Sequence, residues 1–454
     1  MRLRLVMTMD GVIFGFLLAA FVALALATPG SGPAGSVDPS FGQGGETIVQ
    51  PNPRCANGCV EAMGSQAAAL AVAPDGRIVL AGNSVRAGAD GQRSWLVRLE
   101  PNGTLDRAFG VGGYAEGQNG LAMSRVTVNT SAALVLVTKS GGGRGFGLER
   151  FTTAGAVDTA FGTHGVRWLG GAIDAQVEAV FDNEGRIVVL GEAAHGGPAL
   201  ARFLPSGEPD PTFGHHGVAR LDVLGNATPL RLATEPSGAI IVAAFGGGST
   251  SPASSRVLLA RLTSSGAPAR SFGRRGVVEA SRAFAGTVDA MAVAADHGIV
   301  LASSTLHRNG GHGTAELVVG RYTDTGPDSS FGVRGVTLRT LPVGPGAGLL
   351  IHGVTTDGSG NAVIVGEHRE RSIDIPQGTW FVARYGLRGR DCSFGGGGLV
   401  EGMEGGATAV TTQTDGRIVI AGWGQGRPSG TGFMTARYIG GGKAIRCPEA
   451  VAGT

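Results

Sequence analysis

Apolar residues recur along this chain in short runs of four to seven, each bounded by Gly, Asp or Asn. One stretch shows the full order. After Gly165 comes a short alternating segment, Val166-Arg167-Trp168, then the apolar AQVEAVF at 175–181, a turn at Asn183-Glu184-Gly185, the β-branched RIVVLG at 186–191 and a last segment, PALARFL, at 198–204. Runs of this length without a helical period predict four antiparallel strands per unit. The central runs are nearly all apolar, which predicts strands buried on both faces. Asp75-Gly76 and Asp415-Gly416 are hairpin chemistry, because glycine takes φ > 0 without steric cost.

The unit repeats. PDGRIVLAG at 74–82 returns as TDGRIVIAG at 414–422, and seven endings are D-x-x-F-G-x-x-G-like: VDPSFGQGG, LDRAFGVGG, VDTAFGTHG, PDPTFGHHG, PARSFGRRG, PDSSFGVRG and RDCSFGGGG. Their phenylalanines, Phe41, Phe109, Phe161, Phe213, Phe272, Phe331 and Phe394, lie 68, 52, 52, 59, 59 and 63 residues apart. A period of this size means blades, solenoid turns or arrays. The endings are displaced against the strands, since Phe41 precedes any complete unit while the last unit stops at Arg437-Tyr438. The N-terminal segment is therefore expected to complete the last unit and close a ring. An open solenoid would need polar caps, and none is seen. The fold expected is an all-β propeller of seven four-stranded blades, with six or eight as the alternatives.

The two recurring elements, D-x-x-F-G and D-G-R-I-V-x-A-G, resemble the delta-60 repeat family of bacterial exported proteins over roughly residues 35–438. The resemblance implies propeller architecture and export. It carries no catalytic motif to transfer. Two units depart from the pattern: the segment at 130–133 lacks its glycine turn, and Ala269 stands where the aspartate belongs.

Each last strand carries one arginine: Arg98, Arg150, Arg202, Arg261, Arg321, Arg384 or Arg437. Asp106, Asp158, Asp210, Asp328 and Asp391 follow seven or eight residues later, and Asp38 serves the closing unit. Seven copies argue for a fork-to-carboxylate staple rather than an active site. The recurrent phenylalanines are read as core anchors. His164 and His216 share one turn position that other units fill with glycine or arginine, so the position reads as a solvated turn, not a metal site.

Composition narrows the functions. Of 454 residues 81 are glycine, yet 42% are hydrophobic, which suits a turn-rich β protein better than a disordered one. With 37 basic and 35 acidic residues the chain has no global field for nucleic acid. The two lysines, Lys139 and Lys443, complete no phosphate loop. No nucleophile elbow or zinc helix is present, and no cofactor or metal is expected. Residues 1–27 have the charged, apolar, small-residue order of a signal peptide, followed by a flexible lead-in at 28–35, the propeller at 36–440 and a tail at 441–454. Once the signal is cleaved, no membrane span is expected. Cys55, Cys59, Cys392 and Cys447 are disulfide candidates with three connectivities, among them a pair tying the tail to the body.

Binding residues are sought where the repeat breaks. Four stretches qualify, at 46–66, 246–256, 304–316 and 367–380, and the last two hold the densest polar and aromatic set: His307, Arg308, His312, Arg369, Arg371 and Trp380. The leading expectation is an exported, non-catalytic scaffold presenting blade loops to an extracellular or envelope protein or polysaccharide. The alternative is a secreted hydrolase or lyase at the mouth of the channel, for which Glu149 and Glu316 are the non-repeated carboxylates.

Overall fold

The computed structural model describes residues 32–447 apart from 51–63, 86–91, 119–120, 129–131, 140–145, 170–172, 174, 194–195, 247–255, 286, 310–311, 344–346, 371–376 and 426–430. The first strand, β1 (Glu46–Val49), pairs far from its sequence neighbours. β2 (Gly64–Val72), β3 (Ile78–Val85), β4 (Gln92–Leu99) and β5 (Tyr114–Glu116) form a four-stranded antiparallel sheet. A second consists of β6 (Leu121–Val128), β7 (Ala132–Lys139), β8 (Phe146–Thr152) and β9 (Val166–Trp168). The third contains β10 (Ala175–Phe181), β11 (Ile187–Glu192), β12 (Pro198–Phe203) and β13 (Val218–Arg220), and the fourth β14 (Thr228–Thr234), β15 (Ile240–Gly246), β16 (Arg256–Leu262) and β17 (Val277–Glu279).

A five-stranded sheet follows: β18 (Ala290–Val293), β19 (Ile299–Asn309), β20 (His312–Thr323), the two-residue β21 (Gly326–Pro327) and β22 (Val336–Val343). The last, eight-stranded sheet contains β23 (Gly348–Thr356), β24 (Ala362–Glu370), β25 (Gln377–Gly386), β26 (Gly389–Arg390), β27 (Leu399–Thr412), β28 (Ile418–Gln425), β29 (Thr431–Tyr438) and β1. Within it β27 serves two partners: Leu399–Glu404 pair with β25 and Gly405–Thr412 with β28. Two single-turn 3-10 helices, Asp222–Leu224 and Arg282–Phe284, are the helical elements among the described residues.

The chain is an all-β propeller. Its core is divided along the ring rather than gathered in one place, because six of the hydrophobic clusters join two successive sheets and a seventh joins the two halves of the eight-stranded sheet. Val188 and Leu190 of one meet Leu232, Ile240 and Val242 of the next; Ile241 and Leu259 meet Leu301 and Val318. Ile187, Val188, Val189 and Leu190 are all 0% exposed, so the β-branched run is covered on both faces. Burying each such side chain contributes about 1.5–3 kcal/mol. The last cluster brings Val419, Ala421 and Phe433 against Ile78, Leu80 and Trp95, which returns the packing to its start.

Closure is made by backbone. β1 pairs with β29 in the register Glu46↔Ala436 through Val49↔Phe433. Residues 32–35, expected as part of a flexible lead-in, are tied down: Gly35 donates to the Ile439 carbonyl, and Gly395 donates to that of Ala34. The tail is held as well, by the Cys392–Cys447 disulfide and by Cys392 donating to the Ile445 carbonyl. Cys55 and Cys59 lie outside the described residues.

Candidate functional site

Arg202 shows what the repeated arginines do. Its Nε lies 2.7 Å from Asp210 Oδ2, while Asp210 Oδ1 accepts from the Thr212 amide at 2.9 Å and hydroxyl at 2.7 Å. The Arg202 Nη1 donates across to the Ser264 carbonyl in the next sheet, and the guanidinium sits 4.5 Å from the Phe213 ring centre. Phe213 in turn fills the space beside Gly266 of that next sheet, where an added Cβ would come within 2.9 Å of the ring at φ +88°. Gly214 donates to the Ser265 carbonyl. Arginine, aspartate, phenylalanine and glycine thus close their own turn and clamp the turn of the neighbour.

The same device recurs. Arg98 meets Asp106 at 2.6 Å, the Thr153 carbonyl and Phe109; Arg150 meets Asp158 at 2.7 Å, the Pro205 carbonyl and Phe161. Arg437 meets Asp38 at 2.9 Å, the Pro101 carbonyl at 2.6 Å and Phe41, across the junction of the two ends of the chain. Arg321 pairs with Asp328 at 2.8 Å. Arg384 is 0% exposed, pairs with Asp357 at 2.9 Å and Asp391 at 3.1 Å, and donates to the Gly440 and Gly442 carbonyls. Arg261, facing Ala269, takes the buried Glu235 and Asp324 instead. Phe272, Phe331 and Phe394 are buried like the other endings.

The hairpins of β19–β20 and β24–β25 differ from the rest. Their strands run 11 and 12, and 9 and 10 residues, against six in β11 and β12. The stretch at 304–316, expected as a loop, is mostly a lengthened hairpin: His307 pairs with Thr314, Arg308 with Gly313 and Asn309 with His312. Glycine and polar residues suggested a loop there; Leu306, His307 and Thr314 are exposed, while Ala315 is buried in the core shared with the next sheet. The His307 Nε2 lies 3.1 Å from Glu316 Oε2 and is about half-exposed. Leu338, on the adjoining β22, is 54% exposed, and Leu306 is exposed too. Arg369 is half-exposed and contacts Glu367 Oε1. Arg371 lies outside the described residues. Trp380 is a correction: at 1% exposure it presents nothing outward, and its Nε1 donates to the Tyr438 hydroxyl at 2.8 Å. Strand alternation puts it on the face that packs against Ile420 and Met434.

Sequence reading missed a polar set on the inner strands, of which Glu178 and Arg231 stand at β-bulges between Gln176 and Glu178 and between Pro229 and Arg231. Glu178 Oε2 accepts from the Leu232 amide at 2.7 Å; Arg231 Nε donates to the Asp289 carbonyl at 2.7 Å. Asp289 Oδ2 accepts from the Ser304 amide at 2.9 Å and the Ser303 hydroxyl at 3.2 Å, and Ser303 Oγ lies 2.8 Å from Thr287 Oγ1. The bulges at Glu178 and Arg231, and the β18–β19 pairing beside Asp289 and Ser303, are invisible in the sequence without the strand register.

Glu149 is buried between two sheets. Its Oε1 accepts from the Gln118 amide at 3.0 Å, its Oε2 has no partner, and burial pushes the carboxyl from 4.5 up to about 7 against the help of Gln118. Among the described residues no three His, Cys, Asp or Glu side chains are placed to hold a metal ion.

No curated protein matches the chain. Among solved structures, the PQQ-bound aldose sugar dehydrogenase of Streptomyces coelicolor aligns over 86% of this chain and 97% of its own, at 9% identity and a TM-score of 0.36. A protein of unknown function from Dyadobacter fermentans aligns over 90% and 100%, at 13% and 0.34. An endo-arabinanase from Bacillus licheniformis aligns over 59% and 94%, at 12% and 0.26. At such scores none of them bears on function. Residues 73–109 and 184–213 match the model of a domain of unknown function (DUF5122) beta-propeller, so two stretches of the chain are similar to that family's propeller repeats.

Proposed function

We propose that this protein is an exported seven-bladed propeller scaffold that presents the β19–β20 and β24–β25 hairpins to an extracellular or envelope partner, a protein or a polysaccharide. The count of seven reads the eight-stranded sheet as two blades joined through β27, one of β23, β24, β25 and the first part of β27, the other of its second part with β28, β29 and β1. The paired recurring motifs support the delta-60 reading of the repeats. The Cys392–Cys447 disulfide supports export, because such bonds persist in oxidising compartments.

The observation that carries the scaffold role is the asymmetry of the ring. Two lengthened hairpins stand on neighbouring sheets that share a core including Leu317, Val319, Ile364 and Phe381. A rigid base under projecting, mixed polar and apolar strands is what partner recognition uses. Residues 28–454 should show saturable binding to an envelope polysaccharide or a crosslinked envelope protein. That binding should vanish when 306–315 and 369–378 are each replaced by an Asn-Gly turn. A partner bound equally well by both forms refutes the assignment of the hairpins.

The chain of Asp289, Ser303 and Thr287 favours a second reading, a hydrolase or lyase at the channel mouth. Turnover of an envelope polysaccharide that Asp289→Asn abolishes would establish it; unchanged turnover would exclude that site.

A further inference from the structure

The FG-x-x-G endings share one turn, and its residue before the last glycine takes φ > 0. Two endings fill that place with Gly44 (φ 66°) and Gly112 (φ 65°). Four successive ones, from Phe161 to Phe331, fill it with His164 (53°), His216 (52°), Arg275 (59°) and Arg334 (53°). A left-handed conformation costs a side-chain-bearing residue about 1–2 kcal/mol, and glycine removes the cost. The fold therefore has no use for these side chains at that place, and the reason for them lies outside the fold.

Their chemistry and position indicate what it is. All four are exposed, and Arg270, His215 and Arg274 stand exposed beside them. None of the seven makes an ion pair among the described residues, in contrast to the strand arginines, which are consumed by carboxylates. The places before the last glycine in the other three endings, Gln43-Gly44, Val111-Gly112 and Gly396-Gly397, carry no basic side chain, and the exposed Arg107, the counterpart of Arg270, extends the basic set to the Phe109 ending. A net charge of +2 thus conceals a one-sided arc of exposed arginine and histidine side chains. The turns that carry it are fixed to their neighbours, as when Gly214 donates to the Ser265 carbonyl and Gly273 to that of Asp324. The nearby acids Asp324 and Glu208 are engaged by Arg261 and Arg167.

We propose that this arc is a binding surface for a linear anionic polysaccharide, which crosses four successive turns and meets an exposed histidine or arginine side chain at each. An extended polyanion matches charges spread along a rim, where a single small anion would meet one turn only. The antiparallel order of the strands puts these turns at the opposite strand ends from the β19–β20 hairpin, so the surface is separate from the one proposed above.

Dextran sulfate is the probe and neutral dextran the control. Saturable binding of dextran sulfate alone, weakening with added salt, is expected. The quadruple variant His164→Gly, His216→Gly, Arg275→Gly and Arg334→Gly should lose about tenfold or more in affinity, while its Tm stays level or rises. A variant with Arg220→Ala and Arg256→Ala, exposed cations at the other strand ends, should keep its affinity. The proposal is overturned by no saturable binding at low salt, by an unchanged quadruple variant, by equal loss in the control, or by a fall in Tm that shows these side chains hold their turns.

Discussion

Replacing Arg202 by alanine tests whether the repeated arginine is a structural clamp. The side chain is 3% exposed and Asp210 1%, so the substitution leaves a buried carboxylate whose charge has lost its partner. It also removes the hydrogen bond to Ser264 and the stacking on Phe213. Breaking a buried pair from one side costs about 3–5 kcal/mol. At about 2–4 °C per kcal/mol for 150–250 residues and about 1 °C per kcal/mol for a chain of this length, Tm should fall by roughly 3–6 °C. Calorimetry on Arg202→Ala, Asp210→Ala and the double variant should show coupling of about 1.5 kcal/mol or more. The acid limb of stability should flatten as well. Burial pushes the Asp210 carboxyl upward, but the Thr212 and Arg202 bonds outweigh it and hold it below its ordinary 3.8. Its contribution is therefore full above pH 3.8 and lost as pH falls through the lower folded value. A Tm within 1 °C of wild type, or no coupling with Asp210, would refute the clamp.

Two further outcomes are expected. Glu149, raised to about 7, contributes stability below pH 4.5 that is lost as pH rises through 7, so Glu149→Gln should raise stability at pH 8 by up to about 3 kcal/mol and level the Tm-against-pH curve between those values; an unchanged curve contradicts the burial argument. Reducing the Cys392–Cys447 disulfide, which spans 55 residues, should cost about 2–4 kcal/mol, read as a lower Tm with dithiothreitol that Cys447→Ser reproduces without it.

Much of this fold is written locally. The RIVVLG run announces a strand covered on both faces, and the orphan ending at Phe41 announces closure because its complement is missing at Tyr438. The arginine and aspartate of each clamp were legible too, since eight residues separate Arg202 from Asp210 in one turn. What they hold next was not. The Ser264 carbonyl lies 62 residues further on, and a backbone acceptor leaves no mark in the sequence. Nor was the rescue of Arg261, where Glu235 from a preceding turn supplies the carboxylate that Ala269 lacks. Trp380 misled for the opposite reason: polar neighbours such as Gln377 suggested exposure, while its strand face decides burial.

The pairing of β1 with β29 bears on the order of events during synthesis. Asp38 and Arg437 stand 399 residues apart, so the N-terminal ending leaves the ribosome long before the strand that completes it. Until residues 431–447 arrive, β1 is an unpaired edge and Phe41 has no finished socket. Sheets such as β10–β13 close on local contacts, but the ring waits for its last strand, so its slowest step should depend on delivery of the C-terminal segment. A chain arrested before Thr431 would hold folded sheets in an open arc, with the edge of β1 free to recruit a strand from another molecule.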